Sequence, residues 1–72
     1  MSDSRDDPST VSTYEVMFVQ ESLRALGLYD GAIDGEAGAR TRRALRVYKR
    51  RAALFVDDTI DRELIRRLRE AV

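Results

Sequence analysis

Apolar residues recur at helical spacing in three separate segments of the chain, and this pattern predicts three α-helices. In the first segment Ser12 and Glu15 have the spacing of a capping box, and Val11 stands where a hydrophobic staple would contact Val16. Gly27 is a typical terminator, so we expect the first helix to lie between Ser12 and Gly27. The inward positions of this helix are Val16, Val19, Leu23 and Leu26.

The second helix is predicted from about Ala39 to Ala53, and the third is expected to follow Asp61, a favourable N-cap residue. The inward arc of the second helix contains Thr41, Ala44, Leu45, Tyr48 and Ala52. Its opposite side is expected to carry a basic stripe that faces away from the core: Arg42, Arg43, Arg46, Lys49 and Arg50. The inward positions that continue into the third helix are Ile60, Leu64, Ile65 and Leu68.

A loop rich in Gly and Asp joins the first two helices, from Leu28 to Ala39. Ile33 is expected to point inward from this loop, and Tyr29 to pack at its base. The pattern therefore predicts an all-α fold, a compact three-helix bundle over residues 11–72 that follows a flexible acidic tail over residues 1–10. The turn-forming pairs of the loop are Asp30-Gly31 and Asp34-Gly35.

The residue types that the chain lacks exclude several kinds of chemistry. Its 72 residues contain no Cys and no His, which removes disulfides, zinc fingers, thiol nucleophiles and histidine-based triads. A free-standing enzyme of this size with neither residue type is not expected. We therefore predict no catalytic residue, no metal site and no cofactor, and interpret the chain as a binding or interaction module.

Charge is unevenly distributed although the 13 basic and 13 acidic residues balance. Residues 1–39 carry eight acids and two bases, whereas residues 40–51 carry seven bases and no acid. The basic block is either an anion-binding face or the solvated side of a helix. Because the whole chain is neutral and acids flank the block, no nucleic-acid partner is expected.

The acidic loop lacks essential parts of the reactive or metal-binding sites that it partly resembles. An EF-hand counted from Asp30 would need oxygen ligands where Ala32 and Thr41 stand. The spacing of its glycines matches neither of the common phosphate-binding motifs. Asp34 and Glu36 have the residue types of a glycosidase pair, but acids in a turn are solvated and lack the apolar pocket that raises a catalytic pKa.

Short motifs follow one another in a fixed order between Tyr14 and Leu68. They are Val19-Gln20, Leu23, Leu26-Gly27, Tyr29, Asp30-Gly31, Ile33-Asp34-Gly35, Gly38-x-x-Thr41, Ala44, Tyr48, Leu54, Val56-Asp57 and Ile60-Asp61. This order resembles the peptidoglycan-binding-like family, small three-helix modules often attached to cell-wall hydrolases. The resemblance implies the same fold and a noncatalytic function, the recognition of bacterial cell-wall peptidoglycan.

The resemblance also implies a binding site, because in the family the loop after the first helix and the start of the second border the proposed ligand groove. Arg40 would pair with a carboxylate of the peptide stem, the two aspartates would accept hydrogen bonds, and Tyr29 would pack on sugar or peptide. In a competing interpretation Asp34 and Thr41 only hold the turn. The matching positions here are Tyr29, Asp30, Asp34, Arg40 and Thr41.

Four positions depart from the family pattern. The family usually has Phe where Ala37 stands, Gln at Lys49, Gly at Asp58 and Thr at Leu64. The loss of the aromatic residue at Ala37 shrinks a contact, for which Phe55 is a possible substitute.

A second apolar face of the first helix supports an alternative function. Tyr14, Phe18 and Ala25 share a face roughly opposite the inward one, with Met17 beside it. Phe18 is either the anchor of a contact with a partner protein or a second copy, or an isolated and half-covered surface residue. The alternative to peptidoglycan recognition is therefore a cytoplasmic protein–protein adaptor or accessory subunit that uses this face.

The cellular location is expected from two absences. No stretch approaches 18 apolar residues, so insertion into a membrane is not expected. The first residues lack the basic start and apolar run of an export signal. The expected location is the cytoplasm as translated, or the cell envelope if the chain is a fragment or is exported by another route.

Overall fold

The computed structural model describes residues 12–71, and every regular element within them is an α-helix. Helix α1 spans Thr13–Ala25, α2 spans Ala39–Arg51 and α3 spans Arg62–Ala71. The prediction of an all-α, three-helix fold is confirmed. The predicted acidic tail over residues 1–10 and the staple residue Val11 lie outside the described residues.

Both ends of α1 are fixed by local hydrogen bonds. The Ser12 Oγ accepts from the N–H of Glu15 at 3.2 Å, and the Glu15 Oε1 accepts from the N–H of Ser12 at 3.0 Å, which confirms the capping box. Gly27 has a φ of 78°, and the N–H groups of Gly27 and Leu28 donate to carbonyls of the last turn at 2.9 and 2.8 Å. This Schellman motif turns the chain out of the helix and into the loop.

Helix α2 ends in the same motif without a glycine. Ala53 has a φ of 58°, and the N–H of Leu54 donates to the Lys49 carbonyl at 2.8 Å. The helix therefore ends at Arg51, two residues before the predicted Ala53, because a left-handed residue cannot continue a right-handed helix. The connection then leads to α3.

Asp61 caps the start of α3, as predicted. Its Oδ1 accepts from the N–H of Leu64 at 2.9 Å, and its carbonyl accepts from the N–H of Ile65 at 3.1 Å. The side-chain bond satisfies one of the N–H groups that a helix start leaves without an intrahelical partner.

The core lies between α1 and the other two helices, since α1 packs against both α2 and α3. Tyr29 and Ile60 extend it from the two connections, and the half-buried Ile33 packs against it, as expected. Leu64, one of the departures from the family pattern, is fully buried and enlarges this core. The helical core residues are Val16, Val19, Leu23, Ala44, Leu45, Tyr48, Leu64 and Leu68.

One residue of the predicted basic stripe is buried. Lys49 is only 4 % exposed, and its ammonium donates to the Asp57 carboxylate and to the Thr59 carbonyl, the latter at 2.6 Å. The prediction that Lys49 faces away from the core is wrong, because its stem follows the edge of the core and the α2–α3 connection covers its charged end. The exposed residues of the stripe are Arg42, Arg43, Arg46 and Arg50.

Candidate ligand-binding site

A buried amide on α1 holds the loop that joins α1 to α2. Gln20 has no exposed surface, and its Nε2 lies 3.0 Å from the Asp34 Oδ1. The same nitrogen lies 3.1 Å from the Glu36 carbonyl and 3.1 Å from the Thr41 Oγ1. Its Oε1 accepts from the N–H of Gly35 at 3.0 Å. One side chain therefore ties the loop to the first turn of α2, with both of its polar atoms satisfied.

Tyr29 is held at the base of the loop by the same network, as the sequence predicts. Its hydroxyl donates to the Ala32 carbonyl at 2.5 Å and lies 3.4 Å from the Gln20 Nε2. A Cβ at Gly31 would lie 2.6 Å from the Tyr29 Oη and 3.0 Å from the Arg40 Cδ. Gly31 is therefore where the tyrosine ring and the arginine stem converge, and a larger residue there would push them apart.

Asp34 stabilises the turn in its charged form. The backbone N–H of Glu36 donates to its Oδ1 at 3.0 Å, and the Gln20 amide donates to the same oxygen. These two bonds, the backbone one first, hold the pKa of Asp34 below its ordinary value of 3.8. The contacts of Asp34 and Thr41 are thus those of residues that hold the turn, and any ligand would meet them already in place.

Tyr29 and Arg40 border two neighbouring depressions, and we call this shared border the ridge. The loop depression has a volume of about 260 Å³ and is bordered by the loop and the first turn of α2, including Asp34 and Thr41. The helix depression has a volume of about 370 Å³ and lies between the start of the loop, including Asp30, and the exposed side of α2. The second volume falls within the range of roughly 300–1,000 Å³ that small-molecule sites occupy.

The five predicted ligand residues are therefore close together in the structure. Tyr29 and Arg40 border both depressions, Asp34 and Thr41 border the loop depression, and Asp30 borders the helix depression. Asp30 and Arg40 are exposed, whereas Tyr29 and Thr41 are buried and use their hydroxyls within the protein. A ligand on this surface would find charged groups on both sides of the ridge.

The start of α2 adds a partial positive charge to the loop depression. Gly38 is the N-cap, and no side chain caps this end of the helix. The first turn contains no acidic residue, so the positive end of the helix dipole is not compensated from within α2. The Asp34 and Glu36 carboxylates border the same depression, which gives it groups of both signs.

Most of the chain is similar to one known family. The family model described as "Putative peptidoglycan binding domain" matches residues 12–68, from the N-cap of α1 to the last turn of α3. The chain belongs to this family. No curated protein and no solved structure matches the chain.

The predicted partner face of α1 is only partly exposed in this member of the peptidoglycan-binding-domain family. Tyr14 is 82 % exposed and Ala25 is exposed, but Met17 and Phe18 are half-buried. Phe18 packs against the core, and the Arg69 guanidinium lies 5.9 Å from the centre of its ring. The half-burial of Phe18 agrees with the alternative of a half-covered surface residue, because α3 packs beside α1 and Arg69 from that helix lies over the ring.

Gln20 and Lys49 organise the two connections, and the sequence pattern gave neither residue this role. Lys49 holds the pKa of Asp57 below its ordinary value of 3.8, and the N–H of Thr59, which donates to the same carboxylate at 3.2 Å, adds to the effect. A usable signal was present in both cases. Each polar residue directly follows an inward apolar residue of its helix, Val19 or Tyr48, and lies at the edge of the buried arc.

The departure at Ala37 leaves an open space. A third depression, of about 610 Å³, lies between the start of α1 and the two connections, and Ala37, Val16 and Ile60 border it. Phe55 is 84 % exposed and does not border this space. The expected substitution of Phe55 for the family phenylalanine is therefore wrong.

Residues 12–71 contain neither a membrane-spanning helix nor a cluster of metal ligands. None of the helices there has the length and apolar character that crossing a bilayer requires. In the same residues, acidic side chains form no group of three or more arranged to hold a metal ion.

Proposed function

We propose that this chain is a noncatalytic module that binds bacterial cell-wall peptidoglycan through the surface around Tyr29 and Arg40. The family match over residues 12–68 supports this class of ligand. The observation that carries the proposal is the ridge between the two depressions, where a tyrosine whose hydroxyl is bonded to the Ala32 carbonyl stands beside an exposed arginine. A binding site already formed in the free protein spends little binding energy on ordering itself. The cell envelope is the place of action that this ligand implies.

The exposed charged residues on and around the ridge each have a possible partner group in peptidoglycan. Arg40 is not among the basic residues that form salt bridges within residues 12–71, so its guanidinium is available to a peptide-stem carboxylate in a bidentate pair. Asp30 is exposed and accepts from an ammonium or a sugar hydroxyl. Asp34 uses Oδ1 within the loop and has Oδ2 left for the same purpose.

Co-sedimentation with purified sacculi, at low and at moderate salt, tests the proposal. We expect binding that survives moderate salt and that Arg40→Ala weakens roughly tenfold or more, since a hydrogen-bonded charge is lost. Arg50→Ala is the matched control, because Arg50 is also exposed and lies on the same helix away from both depressions. Helical circular dichroism verifies that both variants fold.

Two results would contradict the proposal. Binding that disappears at moderate salt would mean only that the arginines of α2 attract an anionic polymer. Equal losses in the Arg40 and Arg50 variants would mean the same. Tyr29→Ala is not a suitable variant, because Tyr29 belongs to the core, and Tyr29→Phe is the variant that keeps the ring.

A second candidate function is that of a protein–protein adaptor that docks through α1. The high exposure of Tyr14, one turn before Phe18, favours it. Light scattering of the chain and of Tyr14→Asp over a range of concentrations tests the form in which the partner is a second copy. A dimer that the substitution dissociates is the expected result, and a monomer at every concentration contradicts self-association.

A further inference from the structure

The helix depression combines an apolar floor with a charged rim. Four of the bordering residues, which we call the floor, have carbon-rich side chains and come from the start of the loop and from α2: Leu28, Tyr29, Ala44 and Val47. Leu28 and Val47 are half-buried, so part of each alkyl surface is open to a ligand. The charged bordering residues, which we call the rim, are Asp30 from the loop and Arg40 and Arg43 from α2.

The two guanidinium groups of the rim have no ionic partner within residues 12–71. In that part of the chain the basic side chains of α2 that form salt bridges are Arg46, with Asp58 at 3.4 Å, and Lys49, with Asp57. Arg40 and Arg43 are one turn apart, so their side chains are neighbours on the helix surface. Like charges at this spacing repel each other modestly, and an anion placed between them would remove that repulsion.

The rim fits a carboxylate better than a phosphate-rich polymer. A guanidinium matches the two oxygens of a carboxylate in a bidentate pair. Asp30 on the same rim, and Asp34 and Glu36 in the loop depression beyond the ridge, would repel a chain of closely spaced phosphates. One carboxylate placed on the arginine side avoids most of this repulsion.

The floor fits a small alkyl group better than a sugar. Leu28, Ala44 and Val47 have no polar side-chain atom to pair with sugar hydroxyls, and a hydroxyl buried without a partner is costly. The Tyr29 hydroxyl is already bonded to the Ala32 carbonyl. A methyl or similar group would gain from contact with these side chains.

We propose that the helix depression binds the carboxylate end of a short peptide whose last side chain is small and apolar, with the carboxylate on Arg40 and Arg43 and the alkyl group on Leu28 and Val47. This inference rests on the proposed function, since it assigns the peptide part of the polymer to one depression. Arg43 and Val47 then become specificity residues that the family motifs do not include.

A titration of the intact chain with N-acetyl-D-alanyl-D-alanine, followed by two-dimensional ¹H–¹⁵N NMR, tests the inference. We expect saturable shifts for residues 28–30 and 43–47, and an affinity roughly tenfold lower for the C-terminal amide of the same peptide, which lacks the charge. Arg43→Gln is expected to lower the affinity by a similar factor. Arg50→Gln, an exposed arginine outside the depression, is expected to leave it unchanged.

Several outcomes overturn the inference. They are the absence of saturable shifts, equal affinity for the acid and the amide, equal effects of the two arginine variants, and inorganic phosphate that competes as strongly as the peptide. Sacculus binding of the unsubstituted chain separates this inference from the proposed function. If the unsubstituted chain binds sacculi but not the peptide, the inference is refuted and the proposed function stands, whereas if it binds neither, both are refuted.

Discussion

The two connections of the bundle are held by the same arrangement of hydrogen bonds, made with different chemistry. Gln20 donates to Asp34 and to the carbonyl two residues after it, and Lys49 donates to Asp57 and to the carbonyl two residues after that. Each aspartate also accepts from the backbone N–H two residues on, at 3.0 Å in the first connection and 3.2 Å in the second. A neutral amide thus holds one connection and an ammonium holds the other.

The difference explains two departures from the family pattern together. The Gln20 Oε1 accepts from the N–H of Gly35, which has a φ of 78°. An ammonium offers no acceptor, and the residue that corresponds to Gly35 in the second connection is Asp58, which is not in the left-handed region. Lys49 stands where the family has Gln, so the second connection has no amide oxygen to accept from the backbone N–H of its turn. A left-handed glycine, which would direct that N–H toward the oxygen, is then not needed. We therefore expect the two departures to be coupled.

The largest effect is expected from Gln20→Leu, which removes the neutral anchor. The substitution keeps the volume apolar but leaves the Gly35 N–H without its acceptor and removes the donor to the Asp34 carboxylate and the Glu36 carbonyl. We expect the free energy of unfolding to fall by about 3 kcal/mol, since each unsatisfied buried group costs about 1–3 kcal/mol. Urea denaturation measures it. Glu21→Leu, an exposed neighbour, is the control and should change stability by less than about 0.5 kcal/mol.

A smaller loss is expected from Lys49→Met, which removes the charged anchor but keeps the buried stem. The Thr59 carbonyl loses its donor, whereas Asp57 remains partly open to water. We expect a decrease of about 2 kcal/mol in the free energy of unfolding by the same measurement. If Lys49→Met lowered the free energy of unfolding as much as Gln20→Leu, the ammonium charge would be the main interaction that stabilises the second connection.

The charged connection should also respond to acid through Asp57. Its pKa in the folded protein is held below 3.8 by Lys49 and then by the Thr59 N–H, so it contributes stability that is fully present above 3.8. This contribution is lost as the pH falls through the folded pKa. We expect the melting temperature between pH 5 and pH 2 to fall less steeply in Lys49→Met than in the parent. Equal slopes would contradict the assignment, while Asp34 provides a similar acid dependence in both proteins.

A double-mutant cycle should show that Lys49 and Asp58 belong to one change. Lys49→Gln restores the acceptor and Asp58→Gly restores a residue that tolerates the left-handed turn. We expect each single variant to be destabilised and the pair to recover about 1 kcal/mol relative to their sum, as coupled neighbours do. Additive effects would mean that the two departures are independent.

The smallest change in stability is expected from substitutions of the left-handed residues that follow α1 and α2. Gly27 ends α1 and Ala53 ends α2 in the same left-handed position of a Schellman motif. Ala53→Gly removes the steric cost of a Cβ there and should stabilise the protein by about 1 kcal/mol or somewhat less. Gly27→Ala should destabilise it by a similar amount. A thermal melt of the two variants checks the opposite signs, and equal signs would contradict the assignment.

The helices, their starts and the loop residues could be predicted because these signals are local. The Ser12–Glu15 box, the Asp61 cap and the inward position of Tyr29 depend on residues within a few positions of each other. The position of Lys49 at the edge of the buried arc indicates part of its burial, but the covering of its charged end depends on Thr59, which lies ten residues later in the chain. Likewise, periodicity within α1 cannot show Phe18 half-buried, since α3 supplies the covering surface.

The candidate site was predicted in part for the same reason. Five ligand residues came from the resemblance, and the structure places them around one ridge. Arg43 and Val47 were not among them, because their position at the depression depends on how the start of the loop lies against α2. Gln20 is part of the motif, but its role in holding the loop could not be predicted. Its hydrogen-bond partners lie up to 21 residues away along the chain.

The central position of α1 has a consequence for how the molecule opens. Within residues 12–71, α1 contacts both other helices, whereas α2 and α3 do not approach each other closely. Either outer helix can therefore separate while the remaining pair stays in contact, but α1 can leave only when the whole structure opens. A partly opened molecule therefore keeps one of two helix pairs, either α1 with α2 or α1 with α3. The ridge lies in the pair made by α1 and α2, so the candidate site would persist through a fluctuation that releases α3.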